Sequence, residues 1–436
     1  MVLCAMVSTT QAQLNTLSPY SIYGLGDEPN SSMASMAGVS HTGIAMLSTL
    51  NINGVNPATQ TFVSRPTFNL DLRNEFLLLN AGGQQQANSL FSIENISLAF
   101  PVINSPKKKR NAAVSFGLRP YSRQGYEVIS REQVDGLGLV EYQFVGEGGV
   151  NDFFLTGSYD LIADSGKVNT LSIGATGSYI FGFFDRNRIT VVDSNTVATN
   201  LYREDRNEVS AFDLKIGMLY TRKLNFKDDK GEDVFGSFSL GAFYKPSMTL
   251  NGSVRQTAYT FVNNPSNPVV VDTIQTSSGG SPITAPQRFG LGFGFTYDNR
   301  WNIGIDLISR QWSALEINGV NANLNNSFRA SFGVEYTPDP TAFKQLLRIV
   351  RYRAGFSFEQ TRLNVNGAQP NQIGLSAGLG IPVIATRSTS MVNIGTEYVV
   401  RGGAGLPVAE NFFNLYIGFA FTPNQYDRWF AKRKYD

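Results

Sequence analysis

From residue 68 onward the chain is a succession of segments in which apolar and polar positions alternate. In YRAGFSF (352–358), Tyr352, Ala354, Phe356 and Phe358 point one way, and Arg353, Gly355 and Ser357 the other. MVNIGTEYV (391–399) sets Val392, Ile394, Thr396 and Tyr398 against Asn393, Gly395 and Glu397. RFGLGFGFTY (288–297) alternates Phe289, Leu291, Phe293, Phe295 and Tyr297 with glycines and Thr296. The same period runs through FDLKIGMLY (212–220), FSLGAFY (238–244), WNIGIDL (301–307), FRASFGVEY (328–336) and FNLYIGFAF (413–421). A period of two belongs to strands with two unlike faces. It predicts about fourteen strands, mostly roughly ten to sixteen residues long, against ~5–6 in soluble sheets.

The polar face carries charge inside long strands, at Asp213, Lys215, Asp306, Arg329, Glu335, Arg353 and Glu397. A soluble sandwich would turn those residues to water, whereas a membrane barrel turns them to its lumen and the apolar face to lipid. Periodicity reports only that the faces differ, so the connections have to decide. One set is short or polar: 104–111, 162–169, 225–233, 298–300, 385–388 and the somewhat longer 337–347. The other set includes the two longest insertions, 184–207 and 251–284. Short turns on one side and long loops on the other are the pattern of outer-membrane barrels, and an even strand number leaves both chain ends on the periplasmic, short-turn side.

Composition agrees with this choice. Length alone, 436 residues, would suggest two or three soluble domains, with all-β barrels as the main exception. Only 16% of residues are charged, against ~25% in ordinary soluble proteins. Gly (42), Phe (31) and Tyr (18) are abundant, yet mean hydropathy is slightly negative. The sequence contains no run of ~20 apolar residues, which excludes spanning helices. The expected fold is therefore all-β, a transmembrane antiparallel barrel. A net charge of +2 gives no argument for nucleic acid, and KKKR at 107–110 reads as a solvated turn.

The start, MVLCAMVSTTQAQ, has a short apolar core and a small residue, Ala12, suited to a position before a cleavage site. It reads as a truncated secretory signal over 1–12, with a buried N-terminal segment as the alternative. Cys4 is the single cysteine and lies within that stretch, so the mature chain would have no thiol chemistry. One histidine, His41, sits in GVSHTGIAM (38–46) without triad partners of recognisable spacing, and no G-x-S-x-G elbow occurs. No His/Cys metal cluster can be assembled, and no cofactor or enzymatic role is expected.

Two strands carry defects. Pro120 interrupts AAVSFGLRPYSRQGYEV (112–128), where both edges of a barrel strand need N–H donors. The following strand holds GEGG, with Gly146, Gly148 and Gly149, where pairing should also weaken. Defects on neighbouring strands are compatible with a side opening in the wall, and equally with local bulges.

The segment before the strands is distinctive. YGLGDEP (23–29), GVSHTGIAM (38–46) and NPATQTFVSRPTFNLDL (56–72) follow one another in an order and spacing that resemble the FadL family of outer-membrane transporters for hydrophobic compounds. The resemblance covers essentially the whole mature chain, with its specific motifs in the first part. It implies a barrel of fourteen strands over 67–423, closed inside by an N-terminal hatch over 13–66 that includes Gly24, Leu25, Gly26, Asn56, Pro57 and Ala58. It also implies a lateral exit at the third strand, where Pro120 lies.

A tail follows at 424–436, expected in the periplasm. The function expected is passive uptake of hydrophobic compounds such as long-chain fatty acids across the outer membrane of a Gram-negative bacterium. They would be captured by the long loops, with ITVV (189–192), YTFV (259–262) and PVVV (268–271) as apolar patches or as hairpin extensions, and released sideways into outer-membrane lipid. The alternative is a FadL-like barrel that serves as shuttle or scaffold subunit of an outer-membrane secretion or assembly complex, with a protein partner. A porin for polar solutes is a third class, disfavoured because a hatch would obstruct it.

Overall fold

Alternation commits each segment to extended backbone, and hydrogen-bond ladders join these segments edge to edge. The computed structural model describes residues 16–104, 110–135, 137–164, 168–193, 199–227, 233–262, 265–266, 268–342, 345–385, 388–402 and 406–423. The proposed signal stretch 1–12 with Cys4, the basic residues 107–109 and the tail 424–436 lie outside them. In chain order the strands are β1 (Thr67–Ala81), β2 (Gln84–Ile103), β3 (Ala112–Val134), β4 (Gly138–Ala163), β5 (Asn169–Asp193), β6 (Asn200–Lys227) and β7 (Asp233–Lys245). Next come β8 (Met248–Val262), β9 (Val269–Gly280), β10 (Ile283–Ala285), β11 (Arg288–Tyr297), β12 (Trp301–Arg310), β13 (Glu316–Ile317) and β14 (Val320–Asn321). The last are β15 (Ser327–Tyr336), β16 (Arg351–Gln360), β17 (Asn371–Ala385), β18 (Ser388–Gly402) and β19 (Ala409–Phe421).

Fourteen of these form the wall: β1 to β7, β11, β12 and β15 to β19, each antiparallel to the one before. β19 pairs with β1 from Phe68–Phe421 to Asn80–Ala409, so the sheet closes on itself. The charged positions point inward: Asp306, Arg329, Arg353 and Glu397 are all buried. Large apolar side chains such as Phe289, Leu291, Leu307, Phe332 and Phe419 are exposed on the outer surface. Around the short-turn end aromatic rings gather, with Trp301 4.3 Å from Tyr336 and Phe226 5.4 Å from Tyr297. Such girdles mark the membrane–water boundary of barrels.

The segments 184–207 and 251–284, expected as long loops, are mostly strand. β5 and β6 continue past the rim to 25 and 28 residues, and β8 and β9 form a hairpin whose outer strand, β9, is exposed along its whole length. ITVV and YTFV therefore belong to strands, as do residues 269–271, and of the two expectations the hairpin extension is the one observed. A strand in water needs no lipid-facing apolar stripe, so these extensions lack the signature that marks the spanning part.

Candidate functional site

Residues 16–66 hold little regular structure: a turn of 3₁₀ helix at Pro19–Ile22, one α turn at Ala34–Ala37 and a 3₁₀ helix at Pro57–Phe62. Such a segment leaves many backbone groups without partners, and the barrel supplies them. Asp306 accepts the N–H groups of Gly43 (2.6 Å) and Ile44 (2.9 Å). Asp71 accepts that of Ala34 at 3.0 Å, Arg329 donates to the Ser40 carbonyl at 3.0 Å, and Lys215 donates to the carbonyls of Gly54 (2.6 Å) and Val55 (3.1 Å). Of the wall charges seen in the sequence, Lys215, Asp306 and Arg329 thus act on the backbone of this segment, whereas Glu335 and Arg353 pair with each other.

Contact is close because the wall has no side chains there. Every wall strand from β5 round to β19 carries an inward glycine facing this segment, and several stand directly opposite one another, as in the row Gly304, Gly333, Gly355. A methyl group at Gly241 would lie 2.3 Å from the Ile44 carbonyl oxygen, and one at Gly355 2.5 Å from the Val39 carbonyl carbon. Chain that touches the inner face of successive strands around a closed ring lies in its lumen.

The Asn-Pro-Ala motif fastens one end of it. Asn56 is fully buried; its side-chain oxygen accepts from Ala58 N at 3.1 Å and so caps the helix that Pro57 starts. Its amide nitrogen donates to Ile44 O at 2.9 Å within the segment and to Met218 O at 3.1 Å in β6. Pro57 rests on Gly174 and Gly217, and Ala58 packs with Ala45 and Leu219. His41, whose own φ is +56°, has its ring 3.4 Å from a Glu397 oxygen and edge-on to Tyr416.

The Gly-Leu-Gly motif lies at the other end, beneath the long-loop rim. Leu25 is buried in an apolar cluster with Phe184, Leu250, Ile283, Trp312, Leu315 and Leu324, so the connections after β9 and β12 fold over the mouth as a dry lid. Gly24 and Gly26 have φ of +63° and +82°, which a side chain tolerates poorly. Gly26 also packs directly against the Arg123 carbonyl. Below them Glu28 is enclosed by Arg288 and by Arg310 at 3.7 Å. Burial alone would raise its carboxyl, but Arg288 and Arg310 reverse this and bring it down to about 2.

The predicted wall defects fall together. β2 and β3 share a ladder only from Ile103–Ala112 to Ile96–Leu118. Just beyond, β3 bulges after Pro120 with Tyr121 as the extra residue, and Glu94 is the extra residue in β2. β3 then turns inward and pairs with the lumenal segment, Asp27 N to Arg123 O at 2.7 Å and Arg123 N to Asp27 O at 2.8 Å. Glu94 reaches across the parting to Arg123, while Arg73 holds its other side at 3.0 Å. Gly146, Gly148 and Gly149 line β4 alongside: a methyl group at Gly146 would collide with the Tyr126 ring, and Gly148 has φ of +113°. Bulge and parting are one feature.

A second break was not anticipated. β6 pairs with β7 as far as Ile216–Tyr244 and meets β8 only at Ser210–Asn251. Residues 211–215 have no ladder partner on that side among the described residues, because the chain leaves at Lys245-Pro246-Ser247 and residues 248–250 pair with β10 instead. Asp213 accepts the N–H of Leu214 at 2.8 Å and pairs with Lys245 across the break. Lys245 also donates to the hydroxyl of Tyr121 at 3.0 Å, joining the two breaks through the lumen. Lys-Pro-Ser interrupting an alternating run was the available signal.

Among the described residues, small polar cavities lie inside the ring. Cavities of about 100, 90 and 50 Å³ lie among residues such as Glu28, Arg119, Lys215 and Arg310, or Arg73, Glu397 and Arg401.

A family model described as BamG matches residues 1–436. Among solved structures, the toluene transporter TodX of P. putida is similar at 14% identity and a TM-score of 0.56, over 91% of this chain and 100% of that one. A FadL homologue from Pseudomonas aeruginosa is similar at 12% identity and 0.56, over 91% and 99%. The monoaromatic hydrocarbon channel CymD is similar at 13% identity and 0.53, over 91% and 98%. At these identities the likeness establishes the FadL-type fold and not the activity. No curated protein matches in sequence.

Proposed function

Because the chain belongs to the BamG family, we propose that it is a membrane-embedded subunit of an outer-membrane protein complex, a FadL-type barrel that offers its wall and raised strands to partners instead of an open pore. Its short-turn end would face the periplasm. The observation that carries this reading is the filled lumen. The lumenal cavities of about 100, 90 and 50 Å³ are charged and fall short of the ~300 Å³ at which small-molecule pockets begin. Residues 16–66 then serve as a structural plug, pinned by Asn56 at one end and by Leu25 under the lid at the other. The test is native mass spectrometry of the full chain extracted in mild detergent. A protein partner in fixed stoichiometry is expected; a monomer that restores oleate uptake to an uptake-deficient strain would overturn the reading.

One observation favours uptake of hydrophobic compounds as a second reading: β2 and β3 part beside Pro120 in a fold shared with hydrocarbon channels. Solute captured above the rim would leave sideways into lipid, each CH₂ gaining ~0.8 kcal/mol over water. Under that reading Pro120→Val, which restores an N–H donor, lowers oleate uptake in a folded barrel. Uptake unchanged by the substitution speaks against an exit at β3.

A further inference from the structure

Just on the short-turn side of the break at Pro246, the outer wall is dented. A concavity of about 940 Å³ crosses the outward faces of β4, β5, β6, β7, β11 and β12. Its floor is made by small outward residues, among them Gly157, Ala175 and Ala242, and Gly157 stands directly opposite Ala175. Its sides are Ile173, Met218 and Phe289, all exposed outward. A barrel wall is ordinarily convex, so a hollow of this size has to be filled by whatever surrounds it.

One end of the hollow is polar. Gln287 and Gln311, which flank β11 and β12 at the end away from the short turns, join side chain to side chain at 2.6 Å, and Tyr244 donates to Gln287 at 3.0 Å. β11 and β12 are 10 residues each, a single membrane crossing, so this amide pair sits at the far membrane boundary with the apolar floor below it. Gln311 is exposed, and an amide bonded through one of its atoms keeps further donors and acceptors to offer.

We propose that this hollow is a binding site for one membrane amphiphile of the leaflet on the long-loop side, its acyl chain on the Gly157–Ala175–Ala242 floor and its head group hydrogen-bonded to Gln287 and Gln311. The inference rests on the reading of the barrel as membrane-spanning and does not require a protein partner. An apolar floor capped at the boundary end by a hydrogen-bonding glutamine pair matches a lipid more closely than it matches a partner's wall, which would present apolar surface along its whole height.

Native mass spectrometry of the purified full chain tests this, after a delipidating detergent wash and after re-addition of dimyristoyl phosphatidylethanolamine or of lipid A. Wild type is expected to retain a lipid adduct from one of the three sources: endogenous lipid, the phospholipid or lipid A. Ala175→Phe with Ala242→Phe fills the floor and is expected to lower retention about tenfold, the burial of roughly two CH₂ groups. Gln287→Ala with Gln311→Ala, which leaves the floor intact, is expected to lower it as well. Heat-dependent migration on gels confirms that each barrel is folded. A wild type without any retained lipid overturns the proposal, as does equal retention by the filled variant. A stoichiometric protein lost from the filled variant while lipid retention is unchanged assigns the hollow to that protein and overturns it too. Absence of any protein partner in all samples would count against the subunit reading and leave the lipid count standing.

Discussion

Asn56 does three jobs with one side chain, and its substitutions separate them. Asn56→Asp keeps the oxygen that caps Ala58 but loses the amide that donates to Ile44 and Met218, removing two hydrogen bonds at a cost of about 2 kcal/mol. Hydrogen exchange over residues 44–62 should be faster in this variant, and Asn56→Ala faster again by the loss of a cap worth ~1 kcal/mol. Exchange equal to wild type would show that the motif does not fasten the segment. Glu28 gives a pH test. Its folded value of about 2 lies below the ordinary 4.5, so its pairing stabilises the segment above pH 4.5 and is lost as pH falls through about 2. Exchange around residues 20–30 should rise across that window. Glu28→Gln should remove this pH dependence and cost about 3 kcal/mol at neutral pH, since Arg288 stays buried, while Arg310 keeps its pairing with Glu359. The motifs themselves were legible in the sequence. Their partners were not, because alternation says which way Asp306 or Arg329 points but not which backbone group meets it.

At the scale of elements, the glycines of the wall are the clearest case of a visible pattern with an invisible cause. Every wall strand from β5 round to β19 carries a glycine in its polar register. The lumenal segment gives the reason: backbone packs on backbone. Gly333→Leu, in contact with Val39 and Thr42, should therefore leave the barrel heat-modifiable yet expose residues 30–60 to protease. Protection equal to wild type would place the segment away from the wall. Strand number and direction followed from periodicity, and β3 bulges after Pro120, the proline that interrupts its run in the sequence. The break at Pro246 was missed because Lys245 and Leu250 keep the alternation going on either side, and a ladder partner is never visible in one strand alone. The raised parts of β5, β6, β8 and β9 fall in segments expected as long loops for a related reason: above the membrane no strand face has to be continuously apolar towards lipid.

For the whole molecule, a lumen filled by residues 16–66 and lidded by Leu25, Trp312 and Leu315 should not conduct ions. Planar bilayers with the purified chain are expected to stay electrically silent, and stepwise conductance of porin size would contradict the filled lumen. Charged wall residues would favour such a current if the segment moved, so the measurement reports on the plug itself. Residue alternation, turn lengths and the scarcity of charge were enough to determine a closed antiparallel barrel with its apolar side outward, because each is a local consequence of a strand having lipid on one face. The sequence also marked where irregular chain begins and which motifs it carries. Only the tertiary structure decided that Gly-Leu-Gly lies under the lid and Asn-Pro-Ala against β6. It also decided that two ladder breaks meet at Tyr121 and Lys245, and that the large apolar hollow is outside the wall while the inside is charged and full. Those facts depend on contacts between residues up to several hundred positions apart, and closure of the ring is what brings them together.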